Sequence, residues 1–162
     1  MANSVKGFGP HLTLDLYDCD KEKLGDYTYV HLLLDEMPEM LGMHKFSSPH
    51  LTKIPVQKGS FDKGGLTGFV ILVESHLSIH TFPSERFASF DIFSCKKFDE
   101  GKATSYLVTK FDAGKVETNR LERGRDFVKH YPRNTLRAKT LSLNERKIAQ
   151  IPPYQIEHSL TH

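Results

Sequence analysis

The sequence predicts an α+β fold, a two-layer sandwich of one antiparallel sheet with helices packed on one face. Three observations predict it. Leu12, Leu14 and Leu16 alternate with polar neighbours, the period of a half-buried strand. Two apolar stripes of helical spacing follow capping aspartates, Asp26 and Asp99. Several strand-like runs lie close together between those helices, so the order is βα, strands, αβ.

Taken in order, the first strand covers His11–Tyr17. A helix begins near Tyr27 and puts Val30, Leu33, Leu34 and Met37 on one stripe, and Pro38 and Gly42 weaken or end it. A strand around His44–Val56 is interrupted by Pro49 and Pro55. Gly59–Gly65 is a turn-rich loop. Leu66–Val73 is apolar on both faces and reads as a central strand. His76–Phe82 and Phe87–Cys95 are two further strands separated by a turn at Pro83–Arg86. The second helix gathers Ala103, Tyr106, Leu107 and Phe111 on one face, and Lys115–Glu122 is the last strand. The tail has helical character near Leu141–Gln150, stopped by Pro152 and Pro153.

Composition bounds the function. Of 162 residues, 38% are hydrophobic and 26% charged, enough to bury a core and too mixed for a disordered chain. A net charge of +2 gives no strong field toward nucleic acid or membrane, and neither is expected as a partner. Two cysteines, Cys19 and Cys95, are too few for a disulfide scaffold or a four-cysteine zinc site, which makes a reducing cytoplasm the expected setting. The longest apolar run, Phe69–Val73, has five residues against the roughly 20 a membrane helix needs. The opening Met-Ala-Asn-Ser-Val-Lys-Gly has no apolar signal segment. Charge is uneven: residues 123–162 hold eight Lys/Arg against three Asp/Glu, a net +5 that leaves −3 for residues 1–122. The expected division is a domain over 1–124 and a basic extension over 125–162 docked on it.

Residues 73–83 are the densest in chemistry: Val73-Glu-Ser-His-Leu-Ser-Ile-His-Thr-Phe-Pro83. On a strand, His76, Ser78 and His80 face one way and Ser75, Leu77 and Ile79 the other. Read from residue types alone, this is either a polar strand facing solvent or a site. A Gly-x-Ser-x-Gly hydrolase elbow is absent. A metal site on His76 and His80 lacks a third ligand at short spacing.

Glu74-Ser-His-Leu-Ser-Ile-His-Thr-Phe-Pro83, followed by Phe87-Ala-Ser-Phe-Asp-Ile-Phe-Ser-Cys95, resembles the small prokaryotic S-adenosylmethionine decarboxylases, pyruvoyl enzymes of polyamine synthesis. Phe8-Gly-Pro-His-Leu12, Tyr17-Asp-Cys-Asp20, Leu66-Thr-Gly-Phe-Val70 and Leu121-Glu-Arg-Gly124 extend the likeness over residues 8–125.

The resemblance implies how the chain obtains its cofactor. Decarboxylating an amino acid leaves a carbanion at Cα, which needs an electron sink that no side chain provides. In this family Ser75 Oγ would attack the carbonyl of Glu74 and turn the amide into an ester. Loss of the Ser75 α-proton would then expel the Glu74 carboxylate, and a covalent pyruvoyl group would remain at the new N-terminus. Neither a metal nor pyridoxal phosphate is implied. The products would be a 74-residue β chain, 1–74, and an 88-residue α chain, 75–162. His80 would serve processing, and Thr67 would assist it or simply be a strand-favouring residue. The substrate amine would form a Schiff base with the pyruvoyl ketone. Cys95, fifteen residues after His80, would protonate Cα, whereas Cys19 matches no role and reads as packing.

Substrate residues match less well. Phe61 stands where the family stacks adenine, though a loop Phe can equally fold onto the core. Glu74 and Glu85 are the carboxylate candidates. The family's glutamate directly after Thr-aromatic-Pro is Ser84 here, with Glu85 one residue later. Three readings follow. The leading one is a self-processing S-adenosylmethionine decarboxylase for spermidine synthesis, a homodimer of processed protomers. The second is a pyruvoyl-dependent ornithine or arginine decarboxylase on the same scaffold. The third is an unprocessed binding or regulatory pseudoenzyme.

Overall fold

A computed structural model describes residues 8–56, 59 and 63–130. The chain divides into two compact units, Met1–Arg125 and Asp126–His162, and the site lies in the first. The tail helix expected near Leu141–Gln150 lies outside the described residues, as does Phe61.

Six antiparallel strands form one sheet: β1 (Gly9–Tyr17), β2 (His50–Ile54), β3 (Gly65–Leu72), β4 (Ser75–Phe82), β5 (Phe87–Ser94) and β6 (Lys115–Arg123). Their spatial order is β2-β3-β4-β5-β1-β6. The helices in the first unit are α1 (Lys21–Gly25), α2 (Tyr27–Met40) and α3 (Glu100–Phe111), and α4 (Arg125–His130) follows β6. This is the α+β arrangement the periodicities predict.

Side-chain alternation sorts the sheet into two faces. Leu12, Leu14, Leu16, Leu66, Val70, Leu72, Leu77, Ile79, Phe90 and Ile92 are buried under the helices. Val30, Leu33, Leu34 and Met37 of α2, with Ala103, Leu107 and Phe111 of α3, complete the core. Burying one such leucine stabilises by roughly 1.5–3 kcal/mol relative to leaving it exposed. Each helix starts where its aspartate can serve it. Asp26 accepts from the Tyr29 N–H at 3.0 Å and Asp99 from the Lys102 N–H at 2.9 Å. Such a cap is typically worth about 1 kcal/mol. The opposite face carries Thr67, Phe69, Ile71, His76, Ser78 and His80, and no helix of the first unit is needed to explain its polarity. Phe69 and Ile71 are each 44% exposed there.

Two elements of the first unit differ from expectation. The strand expected over His44–Val56 shrinks to His50–Ile54, with a single bridge from Lys45 to Leu72 before it. Pro49 and Pro55 flank the surviving strand, because neither can donate to a ladder. Helix α2 runs through Pro38 and ends at Met40, within a turn of the proline, which cannot donate to the Leu34 carbonyl, and Gly42 (φ +70°) turns the chain after it, as Pro38 and Gly42 predict. Helix α1 was not anticipated. Asp20 caps it by accepting from the N–H groups of Glu22 and Lys23. Among the described residues, no helix is long and apolar enough to cross a membrane.

Candidate active site

The β3–β4 hairpin turns in two residues. Leu72 pairs with Ser75, which leaves only Val73 and Glu74 in the turn. Two-residue hairpin turns favour types with positive φ, hence Gly or Asn. Neither Val73 nor Glu74 adopts a positive φ; the next residue, Ser75, has φ +156°. That region is sparsely populated for any residue with a Cβ, and residues held in it cost on the order of 1–3 kcal/mol. The strain of this turn therefore falls on the Glu74–Ser75 link.

Two neighbours meet that link. The backbone N–H of Cys95 donates to the carbonyl oxygen of Glu74 at 3.0 Å. Ser75 Oγ lies 3.2 Å from His76 Nδ1. The sheet register explains the first contact, because Ser75 pairs with Ser94 across β4 and β5, so the chain leaving β5 passes the turn. Gly9 permits this course. A Cβ on Gly9 would lie 2.0 Å from the Ser94 carbonyl oxygen and 2.8 Å from Cys95 Cα.

The Glu74 side chain is 9% exposed and fully occupied. Its carboxylate accepts from the His44 backbone N–H at 3.0 Å and meets His44 Nδ1 at 2.8 Å, with Lys96 Nζ at 3.8 Å. Burial pushes its acidity the other way, yet the His44 hydrogen bonds hold the carboxyl below its ordinary value of 4.5. In this state the carboxylate fixes the turn.

A second group sits farther along the face opposite the core. Thr67 and His80 are cross-strand partners, and Thr67 Oγ1 lies 2.9 Å from His80 Nδ1. The His80 ring stacks on Phe82, with centroids 4.3 Å apart. Its Nε2 is buried and has no hydrogen-bond partner. Five residues of strand separate His80 from Ser75, roughly 16 Å at about 3.3 Å per residue. Ser84 and Glu85 occupy a 3₁₀ turn, Pro83–Glu85, beyond the His80 end of β4. Within one chain, the sequence-derived residues thus form two groups: Glu74, Ser75 and Cys95 at one end, Thr67, His80 and Glu85 toward the other.

The two cysteines separate clearly. Cys19 is fully buried, and desolvation pushes its thiol up to about 11, whereas Cys95 is exposed. Sequence reasoning missed His44, Lys96 and Gly9. His44 and Lys96 lie thirty and twenty-two residues from Glu74, with no local pattern to link them. Gly9 was visible only as part of the Phe8-Gly-Pro-His motif. Among the described residues, no three His, Cys, Asp or Glu side chains converge on a metal site.

A hydroxyl beside a polarised carbonyl across a strained link is an arrangement suited to an intramolecular acyl shift. Comparison with known proteins shows the family. The sequence-family model described as S-adenosylmethionine decarboxylase matches residues 10–124. An S-adenosylmethionine decarboxylase proenzyme from Methanococcus aeolicus is 36% identical over 91 residues, 56% of this chain and 71% of that protein. One from Geobacillus sp. is 34% identical over 123 residues, 72% of this chain and 87% of that protein. The crystal structure of the adenosylmethionine decarboxylase from Aquifex aeolicus superposes with a TM-score of 0.60 at 30% identity, over 74% of this chain and 92% of that one.

Proposed function

The chain belongs to the S-adenosylmethionine decarboxylase family, and on that premise we propose that it is a proenzyme that cuts itself between Glu74 and Ser75 and then decarboxylates S-adenosylmethionine. Its product is the aminopropyl donor for spermidine. One observation carries the self-cleavage: the Glu74 carbonyl already accepts the Cys95 N–H, next to a serine held at φ +156°. The donor is in place for the oxyanion that attack by Ser75 Oγ creates, and preorganised donors of this kind are worth about 10²–10³ in rate. These residues fit the making of a pyruvoyl group from Ser75, which supplies the electron sink for decarboxylation.

The remaining roles rest on placement. Cys95 is exposed beside the turn, consistent with delivering a proton there. Thr67 engages His80 Nδ1 and leaves Nε2 without a partner. The roughly 16 Å between His80 and Ser75 favours a homodimer that brings the Thr67–His80 pair of one copy to the Ser75 turn of another. The exposed Phe69 and Ile71 supply apolar surface for such a contact. Glu85, and Phe61, which lies outside the described residues, would hold the nucleoside. Glu74 serves the substrate after cleavage only if its His44 contacts loosen. Two cysteines outside any disulfide fit a reducing cytoplasm. The ornithine and arginine reading rests on Ser84 alone, and the relatives from Methanococcus aeolicus and Geobacillus sp., named for S-adenosylmethionine, do not favour it.

Intact mass and CO₂ release test the reading together. The 18.5 kDa chain should resolve into fragments 1–74 and 75–162, and Ser75→Ala should stay whole. The processed protein should release CO₂ from S-adenosylmethionine. Turnover of ornithine or arginine with none of S-adenosylmethionine overturns the substrate, and a chain that stays whole indefinitely overturns the self-cleavage.

A further inference from the structure

We propose that His76 is the base that activates Ser75 for the first step of self-cleavage, the step that makes the ester. This rests on the self-cleavage reading above and assigns a residue that reading leaves without a role.

Neighbouring residues on a regular strand point to opposite faces and cannot touch through their side chains. Ser75 and His76 break that rule. With φ +156°, Ser75 leaves the alternation at the first position of β4, and its Oγ comes to 3.2 Å from His76 Nδ1. The same backbone distortion that strains the Glu74–Ser75 link thus brings the nucleophile to an imidazole. His80 of the same chain lies roughly 16 Å down the strand with Thr67 on its Nδ1, and the His80 that a second copy would bring is assigned to the later step.

The His76 ring is held from the side. It packs on Phe93 with centroids 5.8 Å apart, and the Arg123 guanidinium lies 4.1 Å over the same Phe93. The charged and titratable groups around it are His11 from β1, Asp91 from β5 and Arg123 from β6. His11 Nε2 is 3.2 Å from Asp91 Oδ1, which occupies the neighbouring carboxylate. Burial first, then the His11 and Arg123 charges, hold His76 below its ordinary value of 6.5. The imidazole is therefore neutral near pH 7, with Nδ1 free to accept when Nε2 carries the hydrogen.

The step balances within the chain. Nδ1 takes the Oγ proton as Oγ bonds to the Glu74 carbonyl carbon, and the oxyanion forms against the Cys95 N–H. The Glu74–Ser75 C–N bond then breaks, and the Ser75 nitrogen receives the proton from Nδ1. An amide becomes an ester and a free amine, with nothing gained or lost. His80 remains for the later removal of the Ser75 α-proton.

The test uses full-length chain freshly translated in a cell-free system, followed by denaturing gel and intact mass. Neutral hydroxylamine, which cleaves esters and spares amides, reports the stage of arrest. His76→Asn should cleave at least about 100-fold more slowly and yield no fragments with hydroxylamine. His80→Ala should accumulate ester and fragment when hydroxylamine is added. In the His80→Ala chain, where hydroxylamine reads the ester-forming step alone, the rate of fragment release should fall at acid pH with a midpoint below 6.5. This profile keeps His76 in place, so it stands if His76→Asn misfolds. Wild-type cleavage rates in His76→Asn, hydroxylamine-released fragments from it, or an ester-forming rate in His80→Ala that does not fall at acid pH overturns the role of His76. A wild-type chain that never cleaves overturns the underlying reading instead.

Discussion

The backbone N–H of Cys95 donates to the carbonyl oxygen of Glu74 across 3.0 Å, so the end of β5 holds the turn that β4 leaves from. The contact depends on how closely β1 lets that chain approach. Gly9 allows it, since a Cβ there would stand 2.0 Å from the Ser94 carbonyl oxygen. Gly9→Ala must therefore displace Ser94 and Cys95 relative to Glu74. We expect self-cleavage slowed by about tenfold or more, from partial loss of a donor of the oxyanion-hole kind. A gel time course on freshly made chain measures it. A folded Gly9→Ala chain that cleaves at the wild-type rate removes the Cys95 N–H from the mechanism.

Thr67 and His80 form a pair that a conservative series can dissect. Thr67→Val keeps the β-branched shape and removes the hydroxyl from His80 Nδ1. Losing that bond costs about 1 kcal/mol of stability, and the imidazole loses its fixed orientation. Cleavage should stall after the ester forms, and hydroxylamine should release the fragments. Thr67→Ser keeps the hydroxyl and should process nearly normally. Equal processing by Val and Ser would assign Thr67 to strand packing alone.

The fold was legible because its periodicities are local. Leu12, Leu14 and Leu16 announce a half-buried strand, and Asp26 and Asp99 announce the helices they cap. The strand around His44–Val56 was not, because how much of a ladder survives between two prolines depends on what pairs with it. The site divides in the same way. Ser75, His80 and Cys95 could be found because they lie in one continuous motif. The His44 clamp on Glu74 depends on the loop after α2 returning to the β3–β4 turn, and no spacing in the sequence reports that. The approach of Ser75 Oγ to His76 was hidden for another reason. Strand alternation, the rule that sorted the faces correctly elsewhere, assigns those two side chains to opposite sides.

The cysteines give a chemical test of both geometry and cleavage. Burial raises the Cys19 thiol to about 11, and Cys95 is exposed. An alkylating reagent near pH 8 should therefore modify Cys95 and spare Cys19 in the folded protein, because the thiolate is the reactive form. Cleavage puts the two on different fragments. One label should add to fragment 75–162 and none to 1–74, and decarboxylation should be lost with it. Label on 1–74 under native conditions would contradict the buried position of Cys19.

Acid stability should report the Glu74 clamp. The carboxyl is held below 4.5 in the fold, so its contribution is complete above the unfolded value and is lost as pH falls through the lower folded one. Ser75→Ala keeps the chain whole and serves as the reference. Adding Glu74→Gln to it removes a charged acceptor from His44. We expect a loss of about 1.5–3 kcal/mol near neutral pH, the scale of a hydrogen bond to a charged group. The gap should close as pH drops below about 4.5, where the reference protonates Glu74 and the glutamine variant has nothing there to titrate. Denaturant midpoints measured from about pH 6 to pH 3 decide it. A gap that stays constant over that range would mean the His44 contacts do not favour the charged carboxylate.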